Sequence, residues 1–206
     1  ESIASMPNIK VGKFITQVIL QNIEVEDIDL SNATDLRSAW VQNNPALQKL
    51  DLSYSTIWGQ GDKETEGNGT YGSSLMVLGC PILKEIKLPE KNELKAYRID
   101  IECLDALETF DMSNVKMVAE LSIGDLNKDF NLVYPELTIF YSEDGYAGTY
   151  FACSENTFYR ESTQAFLKAN YTDIDPDDTV RRLGYSSLSY DKNKGCRWRT
   201  LLNKQK

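Results

Sequence analysis

The chain has 206 residues, 41% hydrophobic and 26% charged, a balance that supports a buried core and excludes a disordered chain. Its net charge of −9 argues against a nucleic-acid partner, whose phosphates demand a basic face. It contains no histidine, which removes His-based triads, general bases and metal sites, and no apolar run approaches the roughly 18 residues needed to span a membrane.

The chain starts at Glu1 rather than Met, so it reads as a processed or trimmed form with no signal peptide in view. Ile15 to Leu20 has the pattern of a strand. Val25-Glu26-Asp27-Ile28-Asp29-Leu30 then introduces an apolar-x-x-apolar-x-apolar core that keeps returning. Asp35 to Val41 has the apolar spacing of a helical turn or two. Leu47-Gln48-Lys49-Leu50-Asp51-Leu52 repeats the core, and Tyr54 to Ser74 follows as an insertion rich in Gly, Ser, Thr and charge, the composition of a loop. Leu83-Lys84-Glu85-Ile86-Lys87-Leu88 and Leu107-Glu108-Thr109-Phe110-Asp111-Met112 repeat it again, and Leu137-Thr138-Ile139-Phe140-Tyr141-Ser142 does so loosely. Second strands follow two of these units, at Leu94 to Ile99 and Val118 to Ile123.

Aligned centres Ile28, Leu50, Ile86, Phe110 and Phe140 are separated by 22, 36, 24 and 30 residues. Two of these steps match a leucine-rich repeat, whose period is roughly 20–29 residues, and the insertion accounts for the longest. The expected fold is therefore a leucine-rich-repeat solenoid of stacked parallel strands, over residues 1–142 with the insertion at 54–74. Residues 143–206 form a C-terminal cap or small appended unit, because an open solenoid end exposes core. Within that unit Ser162 to Asn170 has the pattern of a short helix capped by Ser162 or Thr163, and Leu183 to Tyr190 alternates as a strand. From Arg181 to Lys206 there are eight basic residues against one acid, Asp191, a segment that docks on the acidic body, stays solvated or meets a partner.

Strand alternation assigns the faces. It turns Asp27, Asp29, Lys49, Asp51, Glu85, Lys87, Thr109 and Asp111 outward as two ladders across the strand face. Trp58 and Tyr71 in the insertion, with Tyr141 at the end of the repeats, add aromatic anchors of the kind that binding surfaces use. Tyr54, Tyr146, Tyr150 and Phe151 lie near them. Cys80 and Cys103 hold nearly the same place in consecutive units and are expected to stack as small buried hydrophobes, whereas Cys153 and Cys196 either pair or stay free. There is no C-x-x-C pair, no phosphate-binding glycine motif, and no cofactor signature. Asp173 to Asp178 lacks the glycine turn and closing Glu of a calcium loop.

Gly79-Cys80-Pro81-Ile82-Leu83-Lys84-Glu85-Ile86-Lys87-Leu88-Pro89 resembles the unit of the BspA-like leucine-rich repeats of bacterial cell-surface proteins. Glu102 to Ser113 follows the same pattern, and Asn44 to Ser53 does so with Asn44 near the cysteine position. The likeness covers residues 15 to 142. The resemblance implies an exported protein, extracellular or held at the cell surface, with adhesion or host interaction as its role and a protein or carbohydrate as its partner. It implies no catalytic residue. The expected function is non-enzymatic binding through the strand face, with a structural or display module as the alternative. A carboxylate-based glycosidase is the third reading, since two suitably spaced carboxylates are all that chemistry requires.

Overall fold

The computed structural model describes residues 4–60, 73–91, 93–127, 129–138, 142–143, 146–147 and 150–170. In chain order the strands are β1 (Ala4–Lys10), β2 (Gln17–Gln21), β3 (Ile23–Asp29), β4 (Ser38–Gln42), β5 (Lys49–Asp51), β6 (Ser74–Leu78), β7 (Glu85–Lys87) and β8 (Leu94–Leu104). There follow β9 (Thr109–Asp111), β10 (Val115–Leu126), β11 (Asn131–Val133), β12 (Ser142–Glu143), β13 (Tyr146–Ala147) and β14 (Tyr150–Cys153), then α1 (Glu155–Phe158) and α2 (Glu161–Asn170).

The chain alternates between two sets of strands. Strands β2, β4, β6, β8, β10 and β14 form a six-stranded sheet in the order β14-β10-β8-β6-β4-β2, with every pairing parallel. The strands between them pair in parallel as β1–β3, β5–β7 and β9–β11. Among the described residues the only antiparallel pairing is β12 with β13. The architecture is mainly β and mostly parallel, with few helices. The long sheet crosses the expected boundary at residue 142, because β14 lies beside β10.

Register explains why these residues form these strands. In the long sheet, Val18, Ala39, Leu75, Ile99, Leu121 and Phe151 align in one buried column, and Leu20, Val41, Val77, Ile101, Ile123 and Cys153 in another. In the short strands the buried centres are Ile28, Leu50, Ile86, Phe110 and Leu132, flanked by outward residues as the period of two requires. Both sets share one apolar core.

Asp35 to Val41, expected as a helical turn, instead leads from a turn at Asp35 into β4 at Ser38. Ala39 and Val41 point inward with Trp40 between them facing outward, so the segment alternates rather than following a helical stripe. The insertion is also shorter than expected at its far end, where Ser74 opens β6.

The chain leaves the long sheet through a column of left-handed residues, Asn22, Asn43, Gly79 and Cys103, with φ of 53°, 51°, 64° and 53°. Asn and Gly tolerate this conformation, which β-branched side chains resist. Three of these amides continue the ladder onto the next strand: Asn22 N donates to Gln42 O at 2.9 Å, Asn43 N to Leu78 O at 2.9 Å, and Gly79 N to Glu102 O at 3.0 Å. Asn43 Nδ2 donates to Asn22 Oδ1 at 2.7 Å, linking two corners through side chains. Cys103 therefore aligns with Gly79, and Cys80 with Leu104. The two cysteines are buried, as expected, but stand one position apart and do not stack in one column.

Asn44 occupies the place that Cys80 holds in the next unit. It is fully buried, and its Oδ1 accepts from the amides of Val25 (3.1 Å), Ala46 (3.2 Å) and Leu47 (3.3 Å). Cys80 makes fewer contacts: its thiol meets the Asn44 backbone amide and donates to Leu78 O at 3.6 Å. The Asn44 side chain thus reaches back to β3 and ties down its own turn, which carries no ladder. Burial pushes the Cys80 thiol up to about 11, against a smaller pull from the Asn44 amide, and burial raises Cys153 further. Both are thiols, not thiolates, near neutrality. Peptide mapping after treating the native chain with a thiol reagent at pH 8 should find Cys80 and Cys153 unlabelled. The same treatment in denaturant should label both.

At the other end of the short strands an Asp-x-Ser turn recurs. Ser31 N donates to Asp29 Oδ1 at 2.9 Å, Ser53 N to Asp51 Oδ1 at 3.0 Å, and Ser113 N to Asp111 Oδ1 at 2.8 Å. The Ser31 hydroxyl and amide hold Asp29 below its ordinary 3.8. Burial pushes Asp51 up, but the Ser53 hydroxyl and amide together with Lys49 outweigh it and leave Asp51 lowered. A carboxylate depressed in the folded state stabilises fully above its unfolded pKa and loses that contribution as pH falls through the folded value. The urea midpoint should therefore drop as pH falls below about 4, and drop less in a Ser31→Ala, Ser53→Ala double variant.

The C-terminal end of the described fold is closed by α1 and α2. Ser154 caps α1, its Oγ accepting from Thr157 N at 3.3 Å. Phe166 of α2 stacks on Tyr134 at 4.5 Å and tilts against Phe151 at 5.5 Å. Thr163 is not the helix cap: its hydroxyl lies 2.9 Å from Tyr134 Oη and is buried. Arg160 precedes the helix and accepts from Gln164 N at 2.9 Å through its carbonyl. Its guanidinium binds Phe130 O at 2.8 Å and also Asn127 O.

Candidate binding surface

The outward residues of the short strands come together. Asn8, Asp27, Lys49, Glu85, Thr109 and Asn131 occupy equivalent positions in successive strands, as do Lys10, Asp29, Asp51, Lys87, Asp111 and Val133. Register pairs Lys49 with Glu85 and Asp51 with Lys87 directly.

Much of this charge is matched on the face itself. Lys49 Nζ lies 3.1 Å from Glu85 and 3.4 Å from Asp51, Lys10 lies 3.4 Å from Asp29, and Lys87 lies 3.2 Å from Glu90. Glu85, then Asp51, raise the Lys49 ammonium above its ordinary value, and Glu90 does the same for Lys87. Exposed pairs of this kind add little to stability, because solvent screens them and ordering two long side chains opposes them. Asp29, Asp51 and Asp111 also hold their turns, which leaves Asp27, Lys49, Glu85 and Thr109 as the column without a turn to support.

Trp58 does not belong to this surface. It is fully buried, 0% exposed, whereas the composition of the insertion places it outside. The Ser55 hydroxyl turns the chain inward: it donates to Leu36 O at 2.6 Å and accepts from Trp58 N at 2.8 Å. Gly59, at φ 76°, then passes so close to Leu94 that an added Cβ would sit 2.7 Å from Leu94 Cδ2. Phe151 is likewise buried in the core. Tyr71 and Tyr141 lie outside the described residues, as do Cys196, Trp198, the Asp173–Asp178 segment, the expected strand at Leu183 to Tyr190 and the basic segment. Exposed large apolar side chains are Tyr54, Tyr159, Ile82 and, at the opposite end from the helices, Phe14, Ile15 and Ile19.

A second polar cluster, on the outer face of the long sheet, has no counterpart in the expectations from sequence. Arg98, Asp100 and Glu102 alternate along β8, and Glu120 and Ser122 stand beside them on β10. Arg98 lies 2.9 Å from Asp100 and 3.6 Å from Glu120, and Ser122 Oγ donates to Glu102 Oε1 at 2.9 Å. Asp100 and Glu102 are 3% and 7% exposed although they point away from the core. The alternation Arg98-Ile99-Asp100-Ile101-Glu102 carries the signal, but the expected strand stops at Ile99, short of both acids.

Among the described residues no group of three or more Cys, Asp or Glu side chains is placed to hold a metal ion, and no helix is long and apolar enough to cross a membrane. No family model, curated protein or solved structure matches the chain.

Proposed function

We propose that this chain is a leucine-rich-repeat solenoid of the BspA-like kind, exported to the cell surface, that binds a protein or glycan through its short-strand face without catalysis. The observation that carries the reading is the shared register of the short strands. Each buries its centre and turns two residues outward, and the outward residues align in register within β1–β3, β5–β7 and β9–β11. A broad, gently varied polar surface suits recognition of a large partner better than enclosure of a small substrate. The contact positions are Asp27, Lys49, Glu85 and Thr109, the column free of turn duties.

One observation favours the alternative of a display module without its own ligand. Lys49–Glu85 and Lys10–Asp29 neutralise one another on the face, and the buried Trp58 gives it no anchor. A glycan and host-protein array probed with wild type and a Lys49→Ala, Glu85→Ala double variant separates the two. Binding that weakens about tenfold or more, about 1.4 kcal/mol, supports the binding reading. A blank array, or a hit that the double variant leaves unchanged, rejects the short-strand face as the site and favours display.

A further inference from the structure

The cluster on β8 and β10 is asymmetric in charge. One cation, Arg98, stands among Asp100, Glu102 and Glu120, and Arg98 divides its guanidinium between Asp100 and Glu120. Asp100 is buried, and its Oδ1 has no hydrogen-bond partner among the described residues. A buried carboxylate oxygen without a donor is costly, so the position calls for a cation or donor. Asp100 and Glu102 lie about 7 Å apart along the strand, from a rise of about 3.3–3.4 Å per residue. Gly124 leaves space on β10 for Glu102, since an added Cβ there would come within 3.2 Å of Glu102 Cγ.

We propose that the outer face of β8 and β10 is a binding site for cationic side chains, and that its occupant is the basic segment Arg181–Lys206 of this same chain. Charge complementarity selects the occupant: eight basic residues stand against Asp191 in that segment, and in the cluster Asp100, Glu102 and Glu120 outnumber Arg98. Chain length permits it. α2 ends at Asn170, and the eleven residues to Arg181 span up to about 36–40 Å when extended. β8 lies only two strands from β14, about 10 Å in the pairing direction. This site is separate from the short-strand face and stands whether or not that face binds a partner.

Carbodiimide coupling of the full-length chain, followed by peptide mapping, tests the assignment, because it joins a carboxylate only to a lysine in contact with it. The expected product links Lys192 or Lys194 to Asp100, Glu102 or Glu120 within one molecule. Its yield should fall in 1 M salt, where the screening length shrinks from about 10 Å to about 3 Å. Coupling of those lysines only to acids of the short-strand face, or no coupling of them at all, overturns the proposal. So does coupling between isotopically distinct copies in a mixed sample, which would assign the cation to another molecule. As a second readout, Asp100→Asn should lower the urea midpoint in the wild-type chain. The drop should be smaller once Arg181, Arg182, Lys192, Lys194, Arg197 and Arg199 are all replaced by Gln, because only the lost pair with Arg98 then remains. Equal shifts in both backgrounds overturn it.

Discussion

Trp58→Ala is expected to destabilise the protein by about 3–5 kcal/mol, the cost of emptying a large aromatic site in a close-packed core. Native domains are stable by only about 5–15 kcal/mol, so this is a large fraction of the whole. Trp58 is among the largest fully buried side chains and joins the same cluster as Leu36, Leu75 and Leu94. Gly59 runs so close to Leu94 that even an added Cβ would not fit, so the backbone has little freedom to collapse into the gap. Trp58→Phe should cost much less. It keeps an aromatic ring in place and removes an indole N–H that has no hydrogen-bond partner among the described residues. Urea unfolding of the three proteins tests the ranking. A Trp58→Ala chain as stable as wild type would show that the side chain does not fill the core as described.

Asn44→Ala should rank close behind, at about 2–5 kcal/mol, because three amides lose one acceptor and each buried unsatisfied group costs about 1–3 kcal/mol. The amides of Val25 and Leu47 belong to buried residues, so water does not readily replace the lost oxygen. Asn44→Cys should fall between wild type and Ala. Sulfur is a weak acceptor, and Cys80, six residues before Ile86 as Asn44 is before Leu50, meets one backbone amide, that of Asn44. The expected order of urea midpoints is Asn, then Cys, then Ala. If the Cys and Ala variants unfold together, the two side chains do not play equivalent parts.

The short strands are legible in the sequence because their apolar spacing is strict: Leu47, Leu50 and Leu52, then Leu83, Ile86 and Leu88, then Leu107, Phe110 and Met112 are all buried. Strands of the long sheet are harder to read. In β4 the closely spaced Leu36, Ala39, Trp40 and Val41 fit a helical stripe as well as a strand, and only the neighbours β2 and β6 decide between them. In β6 the run Leu75-Met76-Val77-Leu78 has no alternation to detect, because Leu78 is buried on the outer side. β1 lies ahead of the first recognisable repeat and has no sequence signal of its own. Trp58 misleads because its neighbours in sequence are polar, while its burial depends on Ser55 reaching Leu36, 19 residues away. The cysteine offset is one residue, and only the left-handed conformation at Cys103 fixes it.

The two ends of the long sheet are finished differently. At one end α1 and α2 lie over β14 and the Tyr134–Phe151–Phe166 stack. At the other, β2 has no further strand beyond it among the described residues, and Phe14, Ile15 and Ile19 stand in water. Parallel strands hold one another only through their immediate neighbours, so thermal opening has a direction. The sheet frays from β2 inward, and β8 and β10, paired on both sides, let go last. A slow, local loss of order at the open edge can thus proceed while the helical end stays intact, and the same edge offers the first backbone for another strand to grip.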